Sequence, residues 1–404
     1  MGNFKYEDEY REKYKDAELE DIIIFRSGPM ADTYIPGMDY DDNARALFEY
    51  ALSAGFDKKY KLVWIVKDPS EWADKFSTHE NVLFLSWEDA DSDDVAKRDN
   101  FFHYLCLAKY LFMTDSYGFA LGSRPDQVRV MLWHGCGFKT RLGFKPNEHN
   151  YEYMTVTGDE YARTYAKVFG LREDQMLVTG YPKVDYIFHP DNDWQKKLNV
   201  KPADRYVFWL PTFRNTNKPG LERHDHTKPK GETGLPVVAS LEEMRSINNL
   251  LRKKDAVMII KLHPFQDRNM ICDMSEFSNI QLIENESLLQ ADIQINQILG
   301  YADALLSDYS SVSVDYLVLD RPVGFTLDDV ESYERERGFF WPDVKPHLPG
   351  KEIYGFEELY AFISDSLEGL DPGAEKRHSI CDEMQKFKDD HNSERVFKVL
   401  GIEV

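Results

Sequence analysis

The chain has 404 residues, of which 42% are hydrophobic and 14% aromatic, so it holds enough apolar side chains for packed cores. This length predicts two domains of comparable size, because a single core rarely grows so large. The formal net charge of −22 argues against a general nucleic-acid-binding protein, which needs clustered Lys and Arg.

Neither a disulfide framework nor a secretion signal is evident. The four cysteines are scattered without a Cys-x-x-Cys pair, which favours a reducing compartment. Residues 1–20 form a charged, helical lead-in without the apolar core of a signal peptide. The longest apolar stretch, 104–113, is interrupted by Lys109 and is shorter than the roughly 20 residues of a membrane-spanning helix. We therefore expect a cytoplasmic protein, with at most peripheral contact with the inner face of the cell membrane.

Strands alternate with helices along the first half of the chain. The apolar run 21–25 predicts a strand, a Gly/Pro-bearing loop follows, and residues 43–54 have helical spacing. Further strands are predicted at 60–66, 82–85, 110–114, 128–133, 151–156 and 176–179, and helices at 101–108 and 160–169. The acidic residues 87–100 are expected to be a solvated connector. Such alternation predicts a parallel sheet covered by helices on both faces.

The pattern breaks at 188–193, and a second series begins at residue 205. Its predicted strands are 205–210, 257–262, 280–283, 304–307 and 322–325, with a helix at 293–300. We therefore predict a lead-in over 1–20, Rossmann-like domains over 21–195 and 196–375, and a C-terminal helix over 376–404. The long basic segment 213–236 is either an active-site flap or a mobile surface loop.

Two histidines follow predicted strands, one in each domain. His134 follows the strand 128–133 and precedes Gly135, and His263 follows the strand 257–262. Ligands of open parallel sheets bind outside the carboxyl ends of the strands, so both imidazoles are expected to face a cleft. Either histidine alone is as well explained by a structural role with a backbone partner. The occurrence of both, in opposite halves of the chain, favours a functional site.

A hydroxyl-rich turn is predicted at residues 307–313. The strand 304–307 ends there, and a helix follows. Free backbone N–H groups at the start of that helix, together with the hydroxyls of Ser310 and Ser311, would form a cradle for a diphosphate without a Walker lysine. The alternative is that Ser310 or Ser311 caps the helix, and the two uses are compatible.

Two cations lie near predicted strand ends. Arg214 follows the strand 205–210, where its guanidinium would pair with a phosphate, the alternative being a solvated arginine. Lys261 adds a second charge, although strand alternation turns it away from His263. No Asp-x-Asp motif lies near the histidines, so we expect no structural metal and no required cofactor, with Mg²⁺ at most accompanying the diphosphate.

Seven short motifs occur in order along nearly the whole chain. They are Asp42-Asn43-Ala44-Arg45-Ala46-Leu47-Phe48-Glu49-Tyr50, Trp133-His134-Gly135, Gly180-Tyr181-Pro182-Lys183-Val184-Asp185, Pro211-Thr212-Phe213-Arg214, Lys261-Leu262-His263-Pro264, Ser307-Asp308-Tyr309-Ser310-Ser311 and Ser393-Glu394-Arg395-Val396. As a set they resemble the CDP-glycerol glycerophosphotransferase family, which builds teichoic acids and capsular polymers. The resemblance implies a GT-B-like α/β fold, in which the sheets of two Rossmann-like domains face an interdomain cleft.

The family resemblance also implies a reaction and the residues that perform it. His134 and His263 would be the essential histidines, facing one another across the cleft. The resemblance implies that Arg214, Ser307, Asp308, Ser310 and Ser311 line the CDP-glycerol site, and we add Gly135 and Lys261 as candidate substrate-binding residues. An acceptor hydroxyl would attack the β-phosphorus of CDP-glycerol and release CMP. We assign the general base to His134 and the phosphate or CMP contact to His263, although the two roles are exchangeable.

Three alternatives remain open at this point. A CDP-ribitol-dependent ribitolphosphotransferase is the nearest, since nothing in the sequence measures the length of the polyol. A GT-B sugar-nucleotide glycosyltransferase fits the motif at 307–311 less well, and a non-catalytic partner fits the paired histidines less well. The acceptor is either lipid-linked or a polymer chain, and both single addition and polymerisation are compatible with the sequence.

Overall fold

The computed structural model describes residues 4–28, 37–114, 124–140, 151–214 and 231–404. Within them the chain divides into two compact units. The first contains residues 4–134, 151–185 and 389–404, and the second contains residues 135–140 and 186–388. The second unit thus begins at Tyr186 rather than at residue 196, and it also takes in the short segment that follows His134.

Seven strands form the sheet of the first unit. They are β1 (Glu20–Arg26), β2 (Lys61–Val66), β3 (Val82–Ser86), β4 (Ala108–Met113), β5 (Val128–Met131), β6 (Tyr153–Val156) and β7 (Met176–Val178). All pairs are parallel, in the order β3-β2-β1-β4-β5-β6-β7. The helices described between residues 4 and 178 are α1 (Glu7–Tyr14), α2 (Asp42–Ser53), α3 (Ser70–Ala73), α4 (Val95–Leu107) and α5 (Asp159–Phe169). The predicted parallel sheet is confirmed.

The prediction that residues 87–100 form a solvated acidic connector is wrong. Residues Trp87–Asp91 form a 3-10 turn, and α4 already begins at Val95. The reason is local, because the Asp94 carboxylate accepts a hydrogen bond from the Ala96 N–H at 2.9 Å and caps the helix. The acidic residues therefore start a helix that buries Phe101 and Phe102.

Six parallel strands form the sheet of the second unit. They are β8 (Arg205–Trp209), β9 (Ala256–Lys261), β10 (Ile280–Ile283), β11 (Ala304–Ser307), β12 (Val323–Thr326) and β13 (Lys351–Ile353), in the order β10-β9-β8-β11-β12-β13. The helices from residue 185 to residue 384 are α6 (Asp185–Phe188), α7 (Trp194–Lys197), α8 (Leu241–Lys253), α9 (Asn285–Gln290), α10 (Asn296–Leu299), α11 (Val312–Asp315), α12 (Val330–Glu336), α13 (Phe356–Leu367) and α14 (Ala374–Met384). Each unit is therefore an α/β structure around one parallel sheet.

Both sheets have the strand order of a doubly wound Rossmann-like sheet. In each sheet, the first strand in chain order lies between the second and the fourth. The strand order therefore reverses between the first strand and the fourth. In the second unit this reversal lies between β8 and β11. Ligands of such sheets bind at the carboxyl ends of the two strands that flank this point.

Two helices, α14 and α15 (Asn392–Val399), occupy the region predicted as a single C-terminal helix over 376–404. The break has a local cause, because the Asp389 carboxylate accepts a hydrogen bond from the His391 N–H at 3.1 Å and turns the chain. Helix α15 packs in the first unit, where the ring centroid of Phe397 lies 4.4 Å from that of Phe56. Within the described residues, no helix combines the length and the apolar composition of a membrane span.

Candidate functional site

The residues that follow β8 and β11 meet at the reversal point of the second sheet. The Ser307 hydroxyl donates to the Leu210 carbonyl at 3.0 Å. Thr212 donates its N–H and its hydroxyl to Oδ2 of Asp308, each at 2.9 Å. The structure therefore brings together two of the motifs that the sequence analysis selected, at the place where this fold binds ligands.

Arg214 is buried between two carboxylates. Its Nη1 lies 2.6 Å from Oδ2 of Asp308, and its Nε lies 2.8 Å from Oδ2 of Asp329. Burial would lower the pKa of the guanidinium, but the charges of Asp308 and Asp329 outweigh it and hold that pKa above its ordinary value. The same side chain donates to the Thr212 carbonyl at 2.9 Å. In this structure the charge of Arg214 is neutralised inside the protein.

Tyr309 and Asp329 belong to the same buried network, and the sequence analysis did not select them. The Tyr309 hydroxyl donates to Oδ1 of Asp329 at 3.0 Å, and its ring centroid lies 4.1 Å from that of Tyr333. Burial, together with the Asp329 charge, raises the pKa of Tyr309 well above its ordinary value. Asp329 shortly follows β12, so the rule that functional side chains follow strand ends would have found it.

Ser310 and Ser311 are partly exposed, and their hydroxyls make no hydrogen bond within the described part of the chain. Ser311 occupies the position before α11, yet its side chain does not cap the helix. The cap predicted as an alternative is therefore absent here. Both hydroxyls are available to an oxygen-rich ligand such as a phosphate.

The segment that follows His134 packs beside this turn. A Cβ built on Gly137 would lie 3.5 Å from the Cα of Ser311. The Phe340 N–H donates to the Phe138 carbonyl at 3.0 Å, and the Thr140 N–H donates to the Gly338 carbonyl at 3.1 Å. Residues 135–140 therefore pack as part of the second unit. Local sequence patterns did not indicate this placement.

His134 is exposed at the end of the segment that follows β5. Its ring centroid lies 4.0 Å from that of Trp133, and its carbonyl oxygen accepts a hydrogen bond from Nζ of Lys183 at 2.7 Å. Gly135 has φ of 147°, a region that favours glycine. His134 and His263 belong to different units, and that they face one another across a cleft stays a prediction.

His263 has a defined hydrogen-bonding state. Its Nδ1 accepts a hydrogen bond from the Phe265 N–H at 3.1 Å, so Nε2 carries the hydrogen of the neutral ring. Its ring centroid lies 4.9 Å from that of Phe213. His263 also borders a small pocket with Thr212 and Gln266. It therefore presents a donor at the same sheet edge as the Ser310 and Ser311 turn.

Lys261, the last residue of β9, is directed elsewhere. Its Nζ lies 3.4 Å from Oδ1 of Asn285 at the start of α9, in agreement with the alternation argument. The basic segment predicted as a flap lies, over residues 215–230, outside the described residues. Among the residues that the structure describes, no group of three or more His, Cys, Asp or Glu side chains is arranged to hold a metal ion.

The fold matches solved structures over nearly its whole length. The wall teichoic acid polymerase TagF superposes with a TM-score of 0.70 and 18% identity, covering 99% of this chain and 93% of that one. A UDP-GlcNAc 2-epimerase from Neisseria meningitidis gives a TM-score of 0.50 at 11% identity. Because both identities are low, these matches concern the fold alone.

Sequence relatives handle two different polyol phosphates. The teichoic acid ribitol-phosphate polymerase TarK of Staphylococcus aureus is 27% identical over 320 residues, or 74% of this chain and 57% of that protein. The teichoic acid glycerol-phosphate transferase of Staphylococcus aureus is 23% identical over 398 residues, or 90% of each chain. This chain spans between half and two thirds of the length of the ribitol-phosphate relatives that it matches.

The family match covers most of the chain. The sequence pattern described as CDP-Glycerol:Poly(glycerophosphate) glycerophosphotransferase matches residues 32–401. That range includes strands β2 to β13, both histidines and the turn at Ser310 and Ser311, and it leaves out β1. The chain belongs to the CDP-glycerol:poly(glycerophosphate) glycerophosphotransferase family.

Proposed function

We propose that this protein transfers glycerol phosphate from CDP-glycerol to an acceptor hydroxyl, with release of CMP, in the synthesis of a teichoic-acid-like or capsular polymer. The observation that carries the proposal is the Ser310 and Ser311 turn at the reversal point of the second sheet, whose hydroxyls make no hydrogen bond to any described residue. Family membership supports the choice of a CDP-activated polyol. The acceptor is a lipid-linked or polymeric polyol, and contact with the membrane surface is peripheral.

The proposed step is an in-line displacement at the β-phosphorus of the donor. The acceptor oxygen forms a new P–O bond, the P–O bond to CMP breaks, and the acceptor proton passes to His134. Such transfers are catalysed mainly by positioning and by stabilisation of charge. A general base adds roughly 10²–10⁴-fold.

We assign His263 to the donor phosphate. Because Nδ1 accepts the Phe265 N–H, we assign Nε2–H as the atom that donates to a phosphate oxygen or to the departing CMP. A ring held as a donor is poorly suited to remove the acceptor proton. This supports the division of roles in which His134 is the base.

The side chains of Arg214, Ser307 and Asp308 serve this site indirectly in our proposal. All three make their hydrogen bonds inside the protein, so they hold the turn in place rather than contact the donor. Asp308 and Asp329, two carboxylates of this site, are both engaged by Arg214. We therefore propose that no resident metal is needed, with Mg²⁺ at most accompanying the diphosphate.

A CDP-ribitol donor is the second candidate. Four relatives named as ribitol-phosphate enzymes match at 24% to 27% identity, beside the glycerol-phosphate relatives. The two donors differ only in the polyol, so the cytidine diphosphate contacts proposed above serve either. The experiment below separates them.

Nucleotide release tests the function. The protein is incubated with CDP-glycerol, CDP-ribitol or a UDP-sugar and a polyol-phosphate acceptor, and the released nucleotide is measured. We expect CMP from CDP-glycerol, undiminished in excess chelator, and polyol phosphate joined to the acceptor. Release of CMP from CDP-ribitol alone would favour the ribitolphosphotransferase. Release of UDP from the UDP-sugar would show that the protein is a glycosyltransferase instead.

The His134→Ala variant is the matched control for this assay. It should abolish transfer while leaving binding of the CDP-polyol nearly unchanged, because the proposed base touches the acceptor side of the reaction. Lost donor binding with preserved turnover at saturation would reject the assignment of His134.

A further inference from the structure

The backbone beside the proposed base is held in a strained conformation. Trp133 has φ of 57°, in the left-handed region. This region is unfavourable for a residue with a side chain, because Cβ comes too close to the following carbonyl oxygen. Such strain persists only where the surrounding structure over-determines it, and it is concentrated at functional sites. Side chains of the first unit hold the Trp133 backbone in this conformation.

Three side chains of the first unit hold three successive carbonyl groups at this point. The hydroxyl of Thr155 donates to the Leu132 carbonyl at 2.8 Å. Nδ2 of Asn43 donates to the Trp133 carbonyl at 2.7 Å. Nζ of Lys183 donates to the His134 carbonyl at 2.7 Å. The carbonyl groups of Trp133 and His134 are therefore both held by side chains that are distant in the sequence.

Asn43 and Lys183 are also joined to each other. Oδ1 of Asn43 accepts the N–H of Lys183 at 3.1 Å, and Nζ of Lys183 lies 3.2 Å from Oδ1 of Asp42. Asn43 is completely buried, and Lys183 is only 7% exposed. A buried lysine requires partners, and here they are a carboxylate and the carbonyl next to the imidazole. We call Asp42, Asn43 and Lys183 the His134 clamp.

We infer that Asn43 and Lys183 are positioning residues that aim the His134 imidazole through its backbone. The inference rests on the proposed role of His134 as base. It gives a purpose to two sequence motifs, at 42–50 and 180–185, that no proposed chemical step uses. Proton transfer requires the base within hydrogen-bonding distance of the acceptor hydroxyl, and a displacement of 1 Å can cost about 10²-fold in rate.

The first test exchanges the Asn43 donor for an acceptor. Asn43→Asp keeps an oxygen for the Lys183 N–H but turns a carboxylate oxygen toward the Trp133 carbonyl. The matched control is Gln127→Glu in the same unit, because buried Gln127 likewise donates to carbonyls, those of Leu105 and Ala108, and accepts a backbone N–H. We expect kcat of Asn43→Asp to fall about 10²-fold with the KM for donor nearly unchanged, and kcat of Gln127→Glu to be retained. Both are assayed where circular dichroism shows them folded.

The second test separates positioning from substrate binding by Lys183. Lys183→Met removes the donor, whereas Lys183→Arg can still reach the His134 carbonyl and Asp42. We expect kcat to fall in the methionine variant and to recover in part in the arginine variant, with KM for donor unchanged in both. A raised KM with intact kcat at saturation in Lys183→Met would overturn the inference, since it would show contact with the anionic donor.

A third readout does not depend on turnover. In protein labelled with ¹³C-histidine, the ring resonance of His134 is assigned with His134→Gln. Asn43→Asp and Lys183→Met should move or broaden this resonance, and Gln127→Glu should leave it in place. If the wild-type protein released no nucleotide from any CDP donor, the proposed function would fail. The His134 resonance would still show whether Asn43 and Lys183 position the imidazole. An unmoved resonance in both clamp variants would refute the positioning role.

Discussion

Two cations near the proposed site, Arg214 and Lys183, are paired with carboxylates of the protein in this structure. Arg214 is neutralised by Asp308 and Asp329, which lie 94 and 115 residues further along the chain. Lys183 pairs with Asp42 and supports His134. Sequence patterns place Arg214 near a strand end, but they do not reveal carboxylate partners so distant in the chain. That is why Arg214 was expected to contact phosphate.

The energetic consequence of this burial is testable in Arg214→Ala. Removal of the guanidinium leaves the buried Asp308 and the largely buried Asp329 without their cation, which should destabilise the protein by about 3–5 kcal/mol. The matched control is Arg245→Ala, whose exposed pair with Glu276 at 3.4 Å should contribute at most about 1 kcal/mol. Urea unfolding followed by circular dichroism measures both. Unchanged stability with a raised KM for donor would instead support the phosphate contact expected from the sequence.

Most strands of both sheets could be predicted from apolar runs, because strands of a parallel sheet are buried on both faces. Helix α8 was missed although its signal is local, since Ser240 and Glu243 form a capping box at its start. Strand β13, of three residues, is too short for such a signal. The return of α15 to the first unit depends on Phe397 packing against Phe56, and no local pattern carries that information.

The docking of α15 can be tested at Gly180, which has φ of 75°. A Cβ there would lie 1.9 Å from Oδ1 of Asn392, the first residue of α15. Gly180→Ala should therefore displace the helix and cost more than the roughly 1 kcal/mol of left-handed strain alone. Gly401→Ala is the matched control, with φ of 67° and nothing within 4 Å of the new methyl group. Equal melting temperatures for the two variants would contradict this packing.

At the scale of the whole molecule, the chain leaves the first unit after His134 and is back in it by Tyr151. It leaves again after Asp185 and returns at Asp389. The sequence predicts one boundary between the two domains, because its pattern breaks visibly only once, near residue 190. The segment 135–140 and the helix α15 join their units through long-range contacts, such as those of Phe138 and Phe397. The proposed base therefore stands at a point where the chain changes units, which only the structure shows.

The net charge of −22 predicts an unusual salt dependence. An acidic protein repels a polyanionic acceptor, and screening shortens that repulsion from about 30 Å at 0.01 M to about 10 Å at 0.1 M ionic strength. We expect kcat/KM for a long poly(polyol phosphate) acceptor to rise severalfold over this range, while an uncharged short acceptor shows little change. Initial rates at several NaCl concentrations measure both. A fall for the long acceptor would mean that local cations, such as those of the basic segment 213–236, outweigh the net charge, because salt weakens attraction as it weakens repulsion.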